Sequence, residues 1–80
     1  MNREWVLFNL REAAGELSRT IAEIDADSDY DYAHFSVAMK HLYHHLNTAW
    51  NARDASPDRA AACSEKDFNA WRQFPTGLSM

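Results

Sequence analysis

Ser28 to Asp54, SDYDYAHFSVAMKHLYHHLNTAWNARD, is the stretch whose reading decides the fold. Tyr32, Phe35, Met39, Leu42, Leu46 and Ala49 or Trp50 recur every three or four positions. At about 100° per residue that spacing draws one apolar face along a helix. No glycine or proline interrupts the stretch. Ser28 followed three residues later by Asp31 resembles a capping box with the shorter acid, and Asp29 and Asp31 suit a positive helix N-terminus. The helix is therefore expected over about residues 28–54, ahead of an Ala-Ser-Pro break.

The residues before it repeat the pattern. Val6, Leu10, Ala13 with Ala14, Leu17, Ile21 and Ile24 fall on one side of a helix spanning about residues 2–26. Trp5 and Phe8 project to nearly the opposite side, with Gly15 further along that flank, so the first turns are apolar on two sides. A connection of only a few residues forces two such helices into an antiparallel hairpin.

After the hairpin, Ser56-Pro57-Asp58 reads as a helix start, with serine as cap and proline at the first helical position. Ser64-Glu65-Lys66-Asp67 is a second start, leading to Phe68, Trp71 and Phe74 on one face, before Pro75 and Gly77. One bent helix or two short ones, over about 57–63 and 65–74, fit equally. Leu78 to Met80 are expected to fray. No run alternates with period two, and β-branched residues are sparse. The fold class is all-α: a long antiparallel helical hairpin plus one or two short C-terminal helices, in a single domain over residues 1–80.

Length then argues for assembly. Eighty residues bury only roughly 60–65% of the surface their unfolded chain exposes, and chains of this size usually add a disulfide, a metal or a second subunit. Cys63 is the lone cysteine, so no intrachain disulfide can form. Two long helices and a short tail cannot enclose a core, so the expected form is a homodimer: two hairpins make a four-helix bundle with an isologous interface. A free thiol and the absence of a secretory apolar segment fit a cytoplasmic location. No apolar run approaches the roughly 20 residues that span a bilayer, so no membrane partner is expected. Twelve acids against eight scattered bases give a net charge of −4, which argues against nucleic acid.

All four histidines lie in the second helix. With Phe35, Met39, Leu42 and Leu46 as its buried centre, His34, His41 and His45 fall in a row to one side, and His44 points outward beside Lys40, Asn47 and Asn51. His41 and His45 have the i, i+4 spacing that lets two imidazoles ligate one ion. A third ligand would have to come from Glu12, Glu16 or Glu23, from Cys63 or from a second copy. The blander reading of this row is a half-buried polar boundary, hydrogen-bonded across to the first helix. No cofactor is expected, and a divalent metal is the alternative.

Two further patterns lie in the hairpin. His44, Asn47, Asn51 and Arg53 offer a base, amides and a cation, the parts of a polar surface site that could act on a phosphodiester, but without a diagnostic spacing or a basic groove. Asp25-x-Asp27-x-Asp29 resembles the opening of an EF-hand calcium loop. Tyr30 stands where that loop needs glycine and Ser36 where it needs glutamate. Asp25 and Asp27 at a helix C-terminus should instead make the first helix fray early. Trp5, Phe8, Phe68, Trp71 and Phe74 form the packing or partner surface, with the C-terminal segment folding back over the flank of Trp5 and Phe8, and Gly15 admitting a close backbone. The leading functional expectation is a small interaction or structural module, more a binder of itself or of another protein than an enzyme. A metal-binding bundle and a small phosphodiester-directed enzyme are the alternatives.

Overall fold

The computed structural model describes residues 1–78; Ser79 and Met80, part of the end expected to fray, lie outside the described residues. The described chain is helical, with no strand: α1 (Arg3–Ala26), α2 (Tyr32–Asn51), α3 (Pro57–Ala62) and α4 (Glu65–Trp71). α1 and α2 form the long antiparallel hairpin, and α4 packs on α2.

Side-chain caps set every helix start. The Asn2 side chain accepts from the Trp5 amide and Asp31 from the His34 amide. Ser56 accepts from Arg59 and Ser64 from Asp67. Each satisfies an amide that the first helical turn leaves without a partner. The second helix thus starts at Tyr32, not near Ser28, because Asp31 rather than Ser28 is the cap. Asp27 closes the intervening turn, its carboxylate accepting from the Asp29 amide at 2.9 Å. α1 does not fray early either. It keeps Asp25 in its last turn, and the Asp27 amide still bonds to the Glu23 carbonyl at 3.0 Å. The acids stand exposed, where water screens their repulsion from the helix dipole.

α3 and α4 are two helices rather than one bent one. Cys63 between them has φ 38° and ψ 62°, the left-handed conformation that ends a helix. The open end of the hairpin is tied by the chain start: the Asn2 amide donates to the Arg53 carbonyl at 2.6 Å and its side chain to the Ala55 carbonyl at 2.9 Å.

The core departs from the expected one. The large apolar stripes do not meet in the seam between α1 and α2. The residues buried on α1 are Asn9, Ala13 and Thr20, and on α2 Ala38, Asn47, Thr48 and Ala49. Ala38, Ala49 and Ala52 lie on the same side of α2 as His45, which bonds to Asn9. Small side chains let two helix backbones approach closely, so the seam forms on that flank. Leu42, expected at the buried centre, is half-buried, and Phe35 and Leu46 are exposed.

Candidate functional site

The histidine row is split by its surroundings. His45 bridges the helices: its Nδ1 lies 3.0 Å from Asn9 Oδ1, while Asn9 donates to the Trp5 carbonyl at 3.0 Å. Asn9 is 1 % exposed. His41 is exposed and its Nδ1 sits 4.0 Å from Glu16. His34 is exposed, with Nδ1 2.8 Å from Asp31, a hydrogen bond that raises its pKa above the usual imidazole value. His45 Nδ1 is engaged by the Asn9 amide oxygen, and of the suggested third ligands Glu16 is the one that faces His41. No group of three or more metal-ligating side chains occurs among the described residues.

His44 does not point outward as the helical projection placed it. α4 lies over it, and its ring packs 4.8 Å from Phe68 and 4.6 Å from His45. Burial, then the neighbouring His45, lowers its pKa, and burial lowers that of His45 as well. The other members of the suggested polar site are also structural. Asn47 donates to the Arg72 carbonyl at 2.9 Å. Asn51 donates to the carbonyls of Trp71 and Gln73 at 2.8 and 2.6 Å. Arg53 donates to the Trp50 carbonyl and lies over its ring. Each of these four side chains is thus engaged within the chain, His44 by Phe68 and the other three by backbone carbonyls. Asn47 and Asn51 fasten the end of α4, where carbonyls otherwise lack partners.

The aromatics divide in the same way. Trp71 is 7 % exposed and meets Trp5 edge-on, with ring centroids 6.0 Å apart. Trp5 stacks on Phe8 at 5.6 Å. The C-terminal segment thus folds back over this flank, as expected of it. Phe68, however, covers His44 rather than Trp5, and Phe74 stays exposed beside Tyr43. Gly15 admits no neighbouring backbone: the nearest outside atom to its missing Cβ is the Arg19 guanidinium at 3.9 Å.

With one side of the hairpin covered by α3 and α4, the opposite side is bare. Leu10, Leu17, Ile21 and Ile24 of α1 and Phe35, Leu46 and Trp50 of α2 are each between 39 and 55 % exposed. On each helix this stripe lies about 80–100° from the seam. In antiparallel helices those rotations bring both stripes to the same side of the hairpin. Val6 and Leu10 accordingly line one shallow depression together with Leu46, Ala49 and Trp50. The stripe from Val6 to Ile24 on α1 and from Phe35 to Trp50 on α2 contains no charged side chain.

The sequence carried a signal for this arrangement that hydrophobicity alone hid. Asn9, Ala13, Glu16 and Thr20 repeat at helical spacing beside the aliphatic stripe, and so do Ala38, His45, Ala49 and Ala52. The charges at the two ends of the face differ. Glu23, Asp25, Asp27, Asp29 and Asp31 crowd the turn between α1 and α2. Arg3 and Arg53 stand at the other end, brought together by the bond from Asn2 to Arg53. No helix among the described residues is long and apolar enough to cross a membrane. No protein-family model, curated protein or solved structure matches this chain.

Proposed function

We propose that the protein is an interaction module that works as a homodimer, the bare faces of two hairpins closing on each other as a four-helix bundle. The observation that carries this reading is the continuous, charge-free apolar face made jointly by α1 and α2. Taking about 200 Å² for a fully exposed side chain of this size, its seven exposed residues leave roughly 600 Å² in water. That lies at the top of the roughly 300–600 Å² of the largest patch on a typical monomer and approaches the roughly 800 Å² per partner of a stable interface. A second copy fits best because a flat face as long as the hairpin is matched in length by itself. It also supplies the core that a chain of 80 residues lacks.

Sedimentation equilibrium at micromolar concentration tests the proposal. The expected mass is twice the chain's 9.2 kDa. The double variant Leu17→Glu, Leu46→Glu should lose the dimer, since unpaired carboxylates would enter the closed interface. A wild-type chain that stays monomeric and fully helical would overturn it.

A further inference from the structure

We infer that the two copies pack with their acidic turns at opposite ends of the bundle, each turn lying over the Arg3–Arg53 end of the other. This rests on the homodimer proposed above and specifies its symmetry. Two flat layers related by a two-fold axis have two choices, because the axis must lie in the plane between them. An axis parallel to the helices puts α1 of one copy over α2 of the other and brings like ends together. An axis across the helices puts α1 over α1 and α2 over α2, with the ends exchanged. Helix direction does not choose, since facing helices are antiparallel either way. Charge and register do.

In the first arrangement the five carboxylates between Glu23 and Asp31 would meet the same five of the second copy, with no lysine or arginine between residues 20 and 39 to offset them. Arg3 and Arg53 would likewise meet a second Arg3 and Arg53. Like charges set against each other disfavour an interface strongly. In the second arrangement Arg3 falls beside Asp27 and Asp25 of the other copy, and Arg53 beside Asp31 and Asp29. Glu4 does not spoil the match, because it projects away from the apolar face. Asp54 is shared between the N-terminal amine at 3.5 Å and Arg53 at 4.0 Å, an exposed pair that leaves Arg53 accessible to the second copy's acids.

The apolar side chains fit the exchanged arrangement. On α1, Val6 meets Ile24 of the second copy and Leu10 meets Ile21. On α2, Phe35 meets Trp50, Met39 meets Leu46, and Leu42 lies by its own counterpart at the axis. Both stripes must be centred at the same height for one axis to serve them. They agree to within about three residues: the approach of Glu16 to His41 sets Gly15, near the centre of the α1 stripe, across from Leu42, and the Asn9–His45 bond sets it across from Met39. Apolar side chains thus face apolar side chains in pairs along each helix, as the core of a bundle requires.

Spin labels on Asp29→Cys, in a Cys63→Ser background, read the arrangement by pulsed dipolar spectroscopy. Asp29 is exposed and caps no helix. The hairpin's long dimension is 43 Å, and α1 spans about 36 Å at 1.5 Å per residue. The expected distance between labels is therefore about 35–45 Å. A dimer with labels within about 20 Å of each other overturns the exchanged packing and leaves the homodimer standing. No intermolecular signal overturns both.

Charge variants give an independent reading. Arg3→Glu with Arg53→Glu, and separately Asp25→Lys with Asp29→Lys, should each weaken self-association about tenfold at low salt. Mixed together, the two should pair with each other well above the statistical half seen by native mass spectrometry. Pairing at the statistical half overturns the inference.

Discussion

Replacing Trp71 by alanine tests whether the short C-terminal helices owe their structure to one side chain. Trp71 is 7 % exposed and buries nearly all of a side chain of about 250 Å². At about 25 cal/mol per Å² the burial is worth close to 6 kcal/mol, and a compact unfolded state trims that by about 10–40 %. Alanine keeps the Cβ, so the expected loss is about 3–5 kcal/mol, the range of large-to-small changes in cores. A chain of 80 residues has about 4–12 kcal/mol in all, so the variant should sit near its unfolding limit. The loss should begin locally. α3 and α4 have six and seven residues, far below the length at which an isolated helix persists. Without Trp71 they lose their contact with Trp5, and the Asn51 and Asn47 bonds to the carbonyls of Trp71, Arg72 and Gln73 lose their fixed partners. Urea titration followed by circular dichroism, at fixed protein concentration, measures the stability. Limited trypsin digestion measures exposure of Arg59 and Lys66. A stability within about 1 kcal/mol of wild type, with unchanged tryptic resistance, would refute the role assigned to Trp71.

Two other perturbations address the seam and the histidines. Asn9→Ala should cost about 1–3 kcal/mol by thermal unfolding, because it removes buried Asn9 from its bridge to half-buried His45; a loss below about 0.5 kcal/mol would mean the bridge is incidental. The pKa values of His44 and His45 are held below the free imidazole value of 6.5, mainly by burial. Their contribution is fully present above about pH 6.5 and is lost as pH falls through the depressed folded values. Exposed His34, raised by Asp31, acts in the opposite sense and weakly. The melting temperature should therefore fall between pH 7 and pH 5, and His44→Gln with His45→Gln should flatten that slope; an unchanged slope would assign the pH dependence elsewhere.

The histidine and asparagine cluster shows how far a helical projection carries. It placed His34, His41 and His45 on one flank, because angle depends only on the count of residues between them. It could not tell that α4 would lie over His44, or that Asn47 and Asn51 would spend their amides on carbonyls about 20 residues later in the chain. Those partners are set by where a loop returns, and the loop contains a left-handed Cys63 that no local pattern announces. Two of the polar residues that suggested chemistry, Asn47 and Asn51, supply partners to carbonyls at the end of α4.

Local rules wrote most of the fold into the sequence. Helix periods, the serine caps at Ser56 and Ser64, the proline at position 57 and the lack of alternating runs act within a few residues, and they set four helices and a hairpin. Which flank of each long helix turns inward is a choice between whole surfaces, and only the tertiary structure made it. Within one chain, the small residues along Asn9, Ala13 and Thr20 against Ala38, His45 and Ala49 form the seam, and buried Asn9 finds its partner there in His45. Aliphatic side chains such as Leu10, Ile21 and Leu46 would hold the helices further apart there, and packing rather than hydrophobicity decided that they remain on the open face.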